Sequence, residues 1–241
     1  MAADRTVRVW EWVAASQEGG GPVSLAAVGR AAVRWLGVDG ASVTVTVMGC
    51  PAAREPLFAS DELSARLEEL QFTLGEGPAV AEFWLGSPEL VADLELAGSR
   101  WPVFAPAAVA AGARAMFAVP LQAGAIKVGV LSLYRARPGP LAAGELADVL
   151  VLADIALQLM LDGAAGVSGQ PGYPLPDGLS DSLAEVYQAI GMISVQLGVS
   201  LEQASVRLRA RAFASGAELA DVAADVVSRR VRFDPEPDPM A

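Results

Sequence analysis

The sequence predicts an α+β protein, an antiparallel sheet flanked by helices, followed by a small all-α bundle of three helices. Three observations carry this reading. "ASVTVTVM" (41–48) alternates Val43, Val45 and Val47 with Thr44 and Thr46, the two-residue period of a half-buried strand. Two further strand-like runs, "RAMFAVPL" and "KVGVLSLYR", are separated by "QAGAI", a short glycine-bearing connection suited to an antiparallel hairpin. Beyond residue 180, three serines are each followed three positions later by Glu or Gln: Ser182 with Glu185, Ser200 with Gln203, Ser215 with Glu218. Each pair has the form of a capping box, which satisfies two orphan amides where a helix begins.

Taken in order, residues 1–22 read as an N-terminal helical segment, and "SLAAVGRAAVRWLG" (24–37) as the first long helix. After the strand at 41–48 come a strand at "LFAS", a helix at "DELSARLEEL" (61–70) and a strand at "ELVADL". Between these last two, "GEGP" is a turn that opens a new segment, because glycine admits positive φ and proline fixes the next step. The hairpin strands follow, and then "AAGELADVLVLADIALQLML" (142–161), whose apolar residues recur at helical spacing. Residues 163–180 hold five glycines and three prolines with almost no periodic pattern, the composition of a linker. Helices are expected at about 183–197, 201–214 and 217–231, with an acidic tail at 234–241. Their stripes run through Leu183, Val186, Ile190, Ile193 and Leu197, then Leu201, Ala204, Leu208 and Ala212, then Leu219, Val222, Ala223, Val226 and Val227. Helices this short are marginal alone, so the stripes must meet in a three-helix bundle.

Composition narrows the function. Apolar residues make up 53% of 241 and charged residues 19%, ample for a core and unlike a disordered chain. There is no histidine and one cysteine, Cys50, which excludes imidazole-based catalysis, an internal disulfide and a multi-cysteine metal site. No cofactor is expected. Residues 1–20 offer no continuous apolar signal region, and the most apolar long run (103–121) is broken by Pro106 and Arg114, so a cytoplasmic protein with no membrane span is expected. The formal net charge is -11, yet residues 181–233 balance six acidic against six basic side chains.

"LGEGPAVAEFWLGSPELVADL" (74–94), with "SRWPVF", "GARAMFAVPL" and "VGVLSLYR" after it, resembles a GAF domain over roughly residues 23–162. The resemblance lies in the whole ordered series, including Gly75, Gly77, Pro78, Asp93, Pro120 and Gly129. It implies a six-stranded or similar antiparallel sheet, a small-molecule pocket on one face and dimerisation through the flanking helices, giving a homodimer. Large side chains suited to an apolar cavity are Phe72, Phe83, Trp84, Trp101, Phe104 and Met116, each of which also suits an ordinary core. A cysteine or histidine placed to hold a bilin or haem is not evident, and Cys50 reads best as a buried small hydrophobe. The small-molecule ligand stays unidentified.

"VYQAIGMISVQLGVSLEQASVRLRARAFASGAELADVAADVV" (186–227) resembles an ANTAR domain, an RNA-binding output module of bacterial antitermination regulators. The pattern takes in Ala189, Gly191, Gly198, Ser200, Ala204, Leu208, Arg209, Ala212, Leu219, Val222 and Ala223. RNA-contacting positions on this basis are Gln188, Ala189, Gly191, Arg207, Arg209 and Arg211, with hairpin loops of RNA as the partner. Two positions depart from the family: Ile190 stands where a lysine is usual, and Gln196 where a basic residue often precedes the glycine. Losing phosphate contacts implies weaker, more salt-sensitive binding.

The resulting expectation is a non-enzymatic, ligand-responsive regulator that binds RNA hairpins in nascent transcripts and prevents termination. The alternative is a dimerisation or protein-interaction module whose bundle has lost RNA, with Ile190 widening an apolar seam. Sulfoxide-reductase chemistry in the GAF-like region would need a second thiol that the chain lacks.

Overall fold

The computed structural model describes residues 2–46, 54–124, 126–164 and 179–233. The described residues up to 164 form one compact unit and those from 179 onward a second. Cys50 lies outside the described residues.

The first unit opens with α1 (Ala2–Ala15) and α2 (Leu25–Trp35). Ser24 caps α2, its hydroxyl accepting from the Ala27 amide. Val9 and Val13 of α1 are fully buried in the same core as α2, so the N-terminal helical segment packs as part of this unit. Arg5 and Arg8 of α1 both reach Asp148, at 3.0 and 2.7 Å, and Trp12 stacks on Trp35 with ring centroids 5.5 Å apart. Strands β1 (Gly40–Thr46) and β2 (Arg54–Ala59) follow, then α3 (Glu62–Leu74), N-capped by Asp61 and ended by Gly75 in the left-handed region. Helix α4 (Pro78–Leu85) begins with proline at its first turn, as the "GEGP" turn requires. Strand β3 (Glu89–Val91) is shorter than the sequence pattern implied, because Asp93 caps a 3-10 turn over Leu94–Ala97.

Helix α5 (Phe104–Ala111) sits in the alanine-rich run that sequence read only as apolar. Its first amides are held from outside: Glu76 of the GEGP turn accepts from the Val103 and Phe104 amides, both at 3.1 Å. The expected hairpin is present as β4 (Ala115–Ala123) and β5 (Ile126–Arg135), and α6 (Ala143–Ala164) closes the unit. The described strands make one antiparallel sheet in the order β2-β1-β5-β4-β3, against the six or so that the resemblance implied. Pro120 sits on β4 beyond the residues that pair with β3, so its missing amide leaves no ladder bond unmade there. Gly129 is required where β5 crosses β1, because any Cβ would strike the Thr44 carbonyl.

The second unit comprises α7 (Leu179–Leu197), α8 (Leu201–Ser215) and α9 (Leu219–Val227), packed through Val186, Ala189, Ile190 and Ile193, Leu208 and Ala212, and Leu219, Val222 and Val226. The capping box at Ser200 and Gln203 is fully formed. The other two serines do not stand at helix starts. Helix α7 starts at Leu179, which puts Ser182 inside it. Ser215 ends α8 with its hydroxyl on the Arg211 and Ala212 carbonyls, and α9 starts from Glu218 with no side-chain cap. Gly216 adopts the left-handed conformation and ends α8 by returning its amide to the preceding turn, so Ser215 belongs to the helix before the joint. No helix among the described residues is long and apolar enough to cross a membrane.

Candidate functional site

The sheet of the first unit is buried on both faces, and the two faces differ in chemistry. One carries Ala41, Val43, Phe117, Val119, Leu131 and Leu133 into a core shared with α1, α2 and α6. The other lies under α3, α4 and α5, and register divides it into three rungs. Tyr134 pairs with Gly40 and Met116, Ser132 with Ser42 and Ala118, and Val130 with Thr44 and Pro120. The first rung is filled: Tyr134 and Met116 pack with Trp101, Phe104, Leu67 and Leu94 in a closed apolar cluster. The middle rung has only small side chains, two of them hydroxyls.

Over these rungs stand polar groups from the helices. Glu68 of α3 accepts from the Ser42 hydroxyl at 2.8 Å, and Gln71, one turn on, accepts from the Ala79 amide at 2.8 Å through Oε1. Ala79 in turn packs on Ala118 and Val130, which places the Gln71 amide beside the rungs. Glu82 of α4 is 1% exposed. Thr44 Oγ1, Ser132 Oγ and Gln71 Nε2 are all buried, and none has a hydrogen-bond partner among the described residues. Leaving such a group unmet costs about 1–3 kcal/mol each, so these three, two on the sheet and one on α3, mark the candidate site.

GAF domains are among the solved structures that this fold resembles. That of a phosphoenolpyruvate-protein phosphotransferase from Coxiella burnetii matches with a TM-score of 0.51 at 16% identity, covering 69% of this chain and 96% of that one. The fold is GAF-like. A second phosphotransferase GAF domain, from Acinetobacter, matches at 13% identity with a TM-score of 0.49, covering 69% of this chain and 98% of that one. A GAF domain from Synechocystis sp., in its photoproduct state, matches at 17% identity with a TM-score of 0.47, covering 61% and 97%. No protein-family model and no curated protein matches the chain.

Within the GAF-like unit the aromatic candidates separate. Trp101, Phe104 and Met116 belong to the closed cluster, where Trp101 and Phe104 meet edge to face and the Arg100 guanidinium lies 4.4 Å from the Trp101 ring centre. They pack. Phe72 is buried on α3, one turn beyond Glu68. Phe83 and Trp84 lie on α4, and their side chains are outside the described part of the structure. The hydrogen-bonding residues were not singled out by sequence, because the Val/Thr alternation of β1 reads as one dry and one wet face. Thr44 is 3% exposed, so the threonine side faces a second core. The signal that finds it is a strand whose polar alternates lie opposite a buried Glu and Gln three residues apart on a helix.

Beside the rungs, Tyr134 donates to Asp61 at 3.2 Å, and burial, reinforced by the Asp61 charge, pushes its hydroxyl up to about 12. Asp61 is held by the Ser64 amide and the Ser60 hydroxyl as well.

In the second unit the nominated residues spread over different surfaces. Ala189 is fully buried, its methyl in the bundle core, while Gln188 is exposed and Gly191 half-buried on the same helix. Arg207 and Arg211 make no ion pair among the described residues, and Arg209 has an interaction partner. Ile190 is 3% exposed and so presents no apolar seam for a partner, which removes the observation behind the interaction-module alternative. Gln196, at a position where a basic residue was looked for, accepts from the Phe233 amide at 3.1 Å and ties the chain after α9 to α7.

Proposed function

We propose that this chain is a ligand-responsive regulator in which the GAF-like unit binds a small molecule over the Ser42–Thr44–Ser132 floor and the three-helix unit binds RNA hairpins in nascent transcripts to prevent termination. The observation that carries the sensing half is the trio of buried, unmet polar atoms. A ligand supplying partners to Thr44, Ser132 and Gln71 recovers their desolvation cost on binding, and the Glu68 carboxylate beside them disfavours an anion. The expected ligand is neutral or cationic and polar. Native mass spectrometry of protein purified from cells tests this: wild type carries an added small-molecule mass, and a Thr44→Val/Ser132→Ala variant does not. An identical mass on both proteins would defeat the assignment.

The RNA half is supported by the ANTAR resemblance together with the guanidinium groups of Arg207 and Arg211 on the bundle surface, which pair with no carboxylate among the described residues. Anisotropy with a labelled two-hairpin terminator RNA should show binding that falls with salt. Replacing Arg207, Arg209 and Arg211 by alanine should weaken it for every loop sequence alike, since phosphate contacts carry no sequence information.

A further inference from the structure

The GAF-like unit holds an open cavity of about 560 Å³ that shares no residue with the Ser42–Thr44–Ser132 floor. That volume suits a ligand of small-molecule size. Arg30, Val33 and Arg34 line it from α2, where their i, i+3 and i+4 spacing puts them on one face. The end of the sheet supplies Asp39, just before β1, and Asp61, just after β2. Ser16, directly after α1, joins them.

Charges of both signs line this cavity without closing on one another. Arg30 donates through Nε to the Ser16 carbonyl at 2.9 Å and lies 3.7 Å from the Glu18 carboxylate, so it is engaged by the α1–α2 connection. Arg34 makes no ion pair among the described residues, and its guanidinium rests 5.3 Å from the Trp35 ring centre. Asp61 is saturated by the Ser64 amide, the Tyr134 hydroxyl and the Ser60 hydroxyl. Asp39 is not. Its own amide donates to the Tyr134 carbonyl at 2.9 Å and its Oδ2 accepts from the Ala136 amide at 2.8 Å, while Oδ1 has no hydrogen bond among the described residues. Ser16, 7% exposed, adds a buried hydroxyl with no hydrogen-bond partner.

The lining therefore offers one uncommitted guanidinium and one uncommitted carboxylate oxygen. An ion of a single sign would be drawn to one of these charges and repelled by the other, whereas a molecule carrying both signs satisfies both. We infer that this cavity binds a small zwitterion of amino-acid type, its carboxylate on Arg34, its ammonium on Asp39 Oδ1 and its carbon frame against Val33. The planar guanidinium fork matches a carboxylate, and an ammonium supplies the N–H donors that Oδ1 lacks. Because the lining joins the end of α1 to the end of the sheet, an occupied cavity clamps the N-terminal helix to the strands. The inference rests on neither half of the function proposed above.

The test titrates the full chain by calorimetry with glycine, γ-aminobutyrate and ε-aminocaproate, and with butyrate and butylammonium, which carry one charge each. At least one of the three zwitterions should bind and raise the Tm, with butyrate and butylammonium at least about tenfold weaker. Arg34→Gln and Asp39→Asn each remove one charge at an exposed residue, and the asparagine keeps an oxygen for the Ala136 amide, so the fold is retained. Each should weaken the zwitterion about tenfold, the usual worth of a hydrogen bond to a charged group, while Thr44→Val/Ser132→Ala leaves it unchanged. The inference is overturned by no binding of any zwitterion, by equal binding of butyrate or butylammonium, by wild-type affinity in either charge variant, or by loss of binding in Thr44→Val/Ser132→Ala.

Discussion

Thr44 and Ser132 each carry a hydroxyl into a place where nothing among the described residues receives it. A side chain kept for a ligand is a cost to the empty fold, which gives a signed prediction. Thr44→Val, nearly the same shape without the hydroxyl, should stabilise the ligand-free protein by about 1 kcal/mol in urea unfolding while abolishing the small-molecule adduct. Destabilisation by a similar amount would mean the hydroxyl is structural. Tyr134 makes a second prediction. Its neutral form is favoured in the fold, so its contribution is complete below pH 10 and is lost as pH rises toward about 12. Wild type should therefore lose stability over that window more steeply than Tyr134→Phe, and the ultraviolet titration of the folded protein should show one phenol ionising late. Gly129→Ala, whose Cβ meets the Thr44 carbonyl, should cost about 2 kcal/mol or more in thermal or urea unfolding, because backbone cannot step aside as a side chain can.

At the scale of elements, most of what was legible came from period and punctuation. Ser24, Asp61 and Ser200 stand at their helix starts in the structure as they do in the sequence, while α3 runs past the expected residue 70 to Gly75. Helix α5 was hidden because its start has no capping residue of its own; the cap is Glu76, 27 and 28 residues upstream of the amides it holds. Local pattern does not contain that pairing. Glu76→Ala should destabilise the GAF-like unit by about 1 kcal/mol, the usual value of a lost N-cap, and Glu76→Gln should recover part of it. Hydrogen exchange at the first turn of α5 would show the effect there before elsewhere. The three serine-led boxes illustrate the opposite error. Only Ser200 stands at a helix start as written: Ser182 falls within α7, and Ser215 ends α8, whose boundary is fixed by Gly216.

For the whole molecule, the fold class was readable and the site was not. An antiparallel sheet with helices follows from alternation and helical spacing, whereas the polar floor appears only when strand register puts Ser42, Thr44 and Ser132 together beneath α3. The packing of residues 1–22 was hidden for a related reason. Nothing in residues 1–22 shows that Val9 and Val13 end fully buried or that Arg5 and Arg8 close on Asp148, 140 residues from Arg8. A chain beginning at residue 23 should therefore lose about 3–6 kcal/mol from the two valines alone, and would show a lower, broader unfolding transition by circular dichroism. Full stability in that truncation would show that α1 is dispensable.

Strand β1 has neighbours above and below, and Val43 and Thr44 are successive residues on it. Whatever settles against the threonine pushes on the same short length of backbone that carries the valine, and the valine abuts the layer of α2 and α6. The distance over which occupancy must be reported to the far side of the sheet is one peptide unit.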